Sequence, residues 1–134
     1  MLYMLDTNIC IYVAKQHPAS VQVRFQGLQL GQAVMSAVTH AELRAGIEMQ
    51  AANRAHDEKI LGLIVSRVPI VVFDEAASMA YGHLRAALPD HRRNAMDRLI
   101  AAHALSVGAT LVTNNEADFK DYPGLKVENW VTLS

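Results

Sequence analysis

Apolar positions along the chain fall into short blocks, separated by longer stretches in which they recur every three to four residues. The blocks are LYML, AVMSAV, PIVVF and ATLVT, with LKVENW a shorter, mixed one near the end. Brief apolar runs bounded by polar or turn-forming residues suit strands buried on both faces. The stretches between them predict helices over about Ile9 to Gln16, halted before Pro18, and over about Ala19 to Gly27. Thr39 opens the amphipathic run THAELRAGIEMQ, and another helix covers roughly Asn53 to Ser66. DEAASMAYGHLRAAL follows a capping Asp74, and MDRLIAAHALSVG closes at Gly108, a residue suited to a left-handed C-cap. Asp6-Thr7-Asn8, directly after the first strand, suits the cap of the helix that follows.

Strands alternating with helices predict an α/β fold in three layers: a mostly parallel four- to five-stranded sheet with helices on both faces. No repeat, low-complexity tract or Pro/Gly-rich linker divides the sequence, so residues 1–134 read as a single domain. In such sheets ligands bind at the carboxyl ends of the strands.

That rule gives the acidic residues their interest. Asp6 ends the first strand, Glu42 lies in the first turn of the helix after the second, and Asn115, Glu116 and Asp118 follow the fourth. Asp97 opens the helix leading into that fourth strand. Carboxylates gathered at one end of a sheet repel one another and demand a cation. A hard divalent ion such as Mg²⁺ or Mn²⁺ answers that demand with oxygen ligands. His40, His83, His91 and His103 form no HExxH or paired-Cys spacing, which argues against zinc. Taken singly, each acid also has a plain structural explanation. Asp6 can be an N-cap, helped by Asn8. Thr39 and Glu42 match a capping box, which on spacing alone explains Glu42 better than metal binding. Asp97 can pair with Arg93 or Arg98, and Glu116 and Asp118 can be solvated loop charges.

Composition bounds the partners. With 51% hydrophobic and 19% charged residues, the chain is globular in character, and no apolar run approaches the roughly 20 residues of a membrane helix. The N-terminus lacks the pattern of a secretory signal. Cys10, the lone cysteine, sits in the apolar run ICIYV as a core thiol and fits a reducing, cytoplasmic setting. A net charge of −1 argues against nucleic acid at face value. Eight of the twelve cations are Arg, however, and HRRNAMDR gathers Arg92, Arg93 and Arg98 around Asp97. A basic rim about an acidic centre is compatible with a phosphodiester substrate.

Four blocks together carry a resemblance: MLDTN, SAVTHAELRAGIE, MDRLIAAHA and LVTNNEADF, in that order and spread over the whole chain. They resemble the PIN-domain ribonucleases, and more closely the VapC toxins of bacterial type II toxin–antitoxin systems. The resemblance implies Mg²⁺- or Mn²⁺-dependent endonucleolytic cleavage of structured RNA such as tRNA, with initiator tRNA suggested by the enterobacterial members. It also implies a VapB-type antitoxin, docked over apolar residues of the early helices, and a homodimer. Asp6, Glu42 and Asp97 match the three core acids, as metal ligands and catalytic groups. Asp118 takes the fourth acidic role, with Asn115 a polar helper in a place where many members carry Asp. Thr7, Asn8, Ser36 and Thr113 match positions that hold ligands or waters in place. Arg92, Arg93 and Arg98 are candidate contacts to RNA phosphates. The chain departs from the family before Asp97, where DHRRNAM replaces a Gly-rich loop.

Three rivals remain. A phosphoaspartate-forming phosphatase needs D-x-D at the first strand, and Asn8 stands at its second acid. A receiver-like signalling domain needs paired acids there and a late Lys, neither of which is evident. A non-catalytic PIN-like RNA-binding module predicts loss of a core acid, and all three are present.

Overall fold

The computed structural model describes residues 1–88 and 95–132. Its elements run β1 (Tyr3–Leu5), α1 (Thr7–Lys15), α2 (Ala19–Gln26), β2 (Ala33–Ser36), α3 (Ala37–Met49), α4 (Arg54–Arg67), β3 (Ile70–Val71), α5 (Glu75–Ala87), α6 (Ala95–Val107), β4 (Thr110–Val112) and β5 (Val127–Glu128). The five strands form one parallel sheet in the order β3-β2-β1-β4-β5. The expected α/β class, the parallel sheet and the two helical layers are all present.

Both sheet faces are covered, which is why the strands read as unbroken apolar runs. Side chains nonetheless alternate with the pleat. Tyr3, Leu5, Ala33, Met35 and Val112 enter one core with Ile9 and Val13 of α1, Phe25 of α2 and Ile64 of α4. Met4, Val34 and Leu111 enter the other, against Leu84 of α5 and Ile100, Ala101 and Ala104 of α6. The run of alanines along α6 lets that helix lie close against the sheet and α5. Trp130, 1% exposed, meets Tyr3 edge-on at 5.5 Å and donates from Nε1 to Glu128 at 3.1 Å. Arg24 covers its ring and pairs with Glu128 at 2.7 Å, which pins the C-terminal segment to α2.

The strand order places the site. From β1 the chain steps through β2 to β3 on one side, then returns by α5 and α6 to lay β4 and β5 on the other. β1 and β4 therefore flank the point where the connections diverge, and their carboxyl ends border the crevice that such sheets use for ligands. The backbone N–H of Asp6 bonds Val112 O at 3.0 Å, tying the ends of these two strands together.

Two local expectations change. The AVMSAV block is strand only as far as Ser36, and α3 begins at Ala37 instead of Thr39. Ser36 is the cap, its hydroxyl accepting from Val38 N–H at 3.0 Å. Thr39 is thus inside the first turn and fully buried, so it forms no capping box with Glu42. PIVVF shortens to Ile70–Val71. Asp74 caps α5 as expected, accepting from Ala77 N–H at 3.0 Å, and Gly108 takes the left-handed backbone (φ 69°) after α6.

Candidate active site

Asp6 is held where β1 becomes α1. Its Oδ1 accepts from Ile9 N–H at 3.0 Å, so the residue does cap the helix. Capping does not account for its whole environment. The carboxylate also lines a polar cleft of about 260 Å³ with Thr7, Asn8, Glu42, Asp97, Thr113, Asn115 and Phe119. Its pKa is raised, first by burial and further by the negative charge of Glu42, while bonds from the Thr113 hydroxyl and the Ile9 and Asn8 backbone pull the other way.

Glu42 comes from the second turn of α3. With the capping box absent, its Oε1 accepts from the Thr7 hydroxyl at 2.6 Å. This bond joins α1 to α3 across the cleft, fixes one carboxylate oxygen and leaves the other uncommitted to Thr7. Asp97 comes from the first turn of α6. Its pKa is pushed up to about 6, first by burial, then by the charges of Asp6, Glu42 and Asp118. An acid that feels three others in this way lies in their midst.

After β4, Thr113 is fully buried, and its Oγ1 accepts from Asn115 N–H at 3.0 Å. That bond turns the chain so that Asn115 faces the cleft. Asp118, in the short 3₁₀ turn Glu116–Asp118, accepts from the Asn115 side-chain amide. Asn115 therefore lines the cleft, and Asp118 stands behind it, close enough to act on Asp97. Ser36 lies apart from the cleft lining, committed to capping α3 and to a 2.7 Å bond with His103.

The basic rim fares differently. Arg98 is 3% exposed, packed in the layer of α5 and α6 with Nη1 3.5 Å from the Leu88 carbonyl. Its burial is at odds with an RNA contact and with a solvated face; the side chain anchors the end of α5 instead. Arg92 and Arg93, with the DHRRN part of the DHRRNAM departure, lie outside the described residues. Phe119, not singled out from the sequence, also lines the cleft at 2% exposure. Its position directly after Asp118 was the signal. His103 joins the elements that carry Glu42 and Asp97; its spacing from Asp97 along α6 was visible, but its partner was not.

A divalent oxygen-ligand site fits this donor set. Three carboxylates and two amides line one crevice, and their negative charges help raise the proton affinity of Asp6 and Asp97, as in a place that lacks positive charge. Among the described residues no three His, Cys, Asp or Glu side chains close into a ready-made shell. Mg²⁺ suits such an open arrangement, since it is bound through one or two carboxylates and keeps several waters.

A parallel sheet with acids clustered where its connections diverge is shared with a known class, and the PIN domain family model matches residues 3–125. The tRNA(fMet)-specific endonuclease VapC of Shigella flexneri is 41% identical over 130 residues, covering 96% of this chain and 97% of that protein. Ribonuclease VapC2 of Rickettsia felis is 38% identical over 133 residues, covering 97% and 98%. The structure of VapBC-1 from nontypeable Haemophilus influenzae superposes with a TM-score of 0.87 at 33% identity, over 98% of this chain and all of that one. The chain belongs to the PIN-domain family, among its VapC ribonucleases.

Proposed function

We propose that this protein is a divalent-metal-dependent endoribonuclease toxin that cleaves structured RNA in the cytoplasm, its target a tRNA and specifically the initiator tRNA, and that a VapB-type antitoxin restrains it. The convergence of Asp6, Glu42 and Asp97 on one cleft at the switch point of the sheet carries the enzymatic part of this reading. The tRNA(fMet) specificity of the Shigella flexneri relative supports the substrate.

In this reading Asp6 and Asp97 hold Mg²⁺ or Mn²⁺ directly, and Asn115 and Asp118 complete the acidic wall. What a bound divalent ion supplies is Lewis acidity: charge neutralisation at the scissile phosphate and easier deprotonation of water near neutral pH. The chain's own groups do the rest. Thr7 donates to Oε1 of Glu42 and so orients the carboxylate, which would orient an attacking water and accept its proton. Thr113 steadies Asp6 and, through the Asn115 backbone, the edge of the cleft. Phe119 adds an aromatic side chain to this otherwise polar lining.

The antitoxin reading rests on a second, larger groove of about 640 Å³ between α1, α3 and α4. Ile11, Ala14, Leu43, Ile60 and Ile64 make it largely apolar, and Thr7 and Glu42 line both it and the acidic cleft. A segment with an apolar face fits there, and a cationic side chain at its end would reach the acids. Among the described residues no helix is long and apolar enough to cross a membrane.

The test is incubation of the purified protein with total bacterial RNA, in Mg²⁺ and in chelator, with sequencing of the cut ends. Metal-dependent cuts concentrated in a tRNA anticodon stem-loop are expected. Cleavage unaffected by chelator would overturn the metal assignment, and cuts dispersed through mRNA would overturn the substrate.

A further inference from the structure

Two fully buried polar residues, Ser36 and His103, meet in the layer behind the acidic cleft, with Ser36 Oγ 2.7 Å from His103 Nδ1. Neither lines the cleft, yet each sits on an element that does. Ser36 ends β2 and caps α3, six residues before Glu42. His103 lies on α6, six residues after Asp97. Six residues of helix span about 9 Å, so the bond lies roughly two turns from each carboxylate.

Ser36 Oγ accepts from Val38 N–H and keeps both its own proton and a second lone pair, so it can bond Nδ1 in either imidazole tautomer. Burial keeps the imidazole pKa low, against the opposing influence of Asp74 and the Val72 backbone, which favours the neutral ring. Phe73 packs edge-on against the ring at 5.2 Å and 78°, which limits its rotation. A buried polar pair of this kind fixes geometry, because an unmade bond leaves two desolvated groups behind.

We infer that the Ser36–His103 hydrogen bond is a strut that holds α3 and α6 in register, and that His103 is a positioning residue for the pair Glu42 and Asp97. The inference rests on the proposed role of those two acids. It assigns His103 a share in catalysis without contact to substrate or ion.

Four variants test it: His103→Leu, which fills the volume without a polar atom; His103→Asn, whose amide falls near the Nδ1 position; Ser36→Gly, which removes the hydroxyl at little cost to the helix cap; and the Ser36→Gly/His103→Leu double. Small displacements of reacting groups cost about tenfold to a hundredfold in rate. His103→Leu is therefore expected to lower kcat for RNA cleavage by about that factor with KM within about twofold, and His103→Asn to recover most of the loss. The double variant should be no slower than the slower single, since one bond is lost in each case. Binding of Mn²⁺ alone, followed by electron paramagnetic resonance, should weaken in His103→Leu and recover in His103→Asn. Wild-type kcat in a folded His103→Leu would overturn the strut, as would single-variant losses that multiply in the double. Equal losses in His103→Asn and His103→Leu, tracking a common fall in urea midpoint, would make His103 a stability residue only. Should His103→Leu not fold, Ser36→Gly carries the same expectation and the same refutation. A wild-type chain that binds no Mn²⁺ would refute the metal reading by itself, and the kcat cycle then decides the strut alone.

Discussion

Asp97→Asn should stabilise the metal-free protein while destroying its activity. The folded state pushes the Asp97 carboxyl from its ordinary 3.8 up to about 6, so ionising it costs the fold free energy. Two pKa units correspond to about 3 kcal/mol. The side chain is only partly buried, and solvent screening reduces this to about 1.5 kcal/mol. Loss of a negative charge in the first turn of α6 gives back about 0.5 kcal/mol, which leaves a net gain of about 1 kcal/mol for the variant. The sign follows from linkage: a carboxyl with a raised folded pKa favours the folded state most below the unfolded value, and that advantage disappears as pH rises through the folded one. Wild type and variant should therefore unfold alike near pH 3.5, diverge between pH 4 and 6, and differ by a constant amount above pH 7. Urea unfolding in chelator, monitored by Trp130 fluorescence, gives the difference directly. Saturating Mg²⁺ should reverse the order, since an ion at ten times its Kd stabilises the wild type by about 1.4 kcal/mol and the variant by less. A variant less stable than wild type at pH 7.5 without metal, or a difference that ignores pH, would refute the claim that burial and the neighbouring acids make an ionised Asp97 costly to the fold.

Three further outcomes are expected. Asp6→Ala should abolish RNA cleavage and keep the far-UV circular dichroism of the wild type, at a cost of about 1 kcal/mol for the lost helix cap; residual metal-dependent cleavage would remove Asp6 from the mechanism. Thr7→Val keeps the volume but deletes the bond to Glu42 Oε1, and should lower kcat about tenfold to a hundredfold in a single-turnover assay, with little change in RNA affinity. Ile60→Asp places a charge in the apolar groove and should weaken antitoxin binding by at least about tenfold in calorimetry, because burying an unpaired carboxylate costs several kcal/mol.

Most of the architecture was legible because both faces of the sheet are buried. Each strand then shows as an apolar block, and each helix as a periodic stretch between blocks. The same continuity hid the end of β2: Ala37 and Val38 extend the apolar run, and a run cannot tell strand from helix. The Ser36 hydroxyl decided it by capping Val38 N–H. Thr39 and Glu42 then fell out of capping-box geometry, and Glu42 became available to Thr7. Arg98 was misread for a related reason. Charge alone does not report burial, and the packing of α5 on α6 covers a guanidinium that the local sequence exposes. Asn115 and Asp118 could not be ordered from sequence, since the Thr113 bond that turns Asn115 into the cleft belongs to the loop's three-dimensional course.

The four acids are not equally prepared for charge, and the difference tells which of them depends most on a cation. Asp6 receives help from the Ile9 and Asn8 backbone and from Thr113. Glu42 is held by the Thr7 hydroxyl, and Asp118 accepts from Asn115. Among the described residues, the influences on Asp97 all push its pKa upward: burial, and the three neighbouring charges. An ion entering the cleft would offset the charges of Asp6, Glu42 and Asp118 that act on Asp97. Metal affinity should accordingly fall as the pH drops through about 6, where Asp97 takes up its proton. The carboxylate that costs the empty fold most is the one through which pH and metal compete for the site.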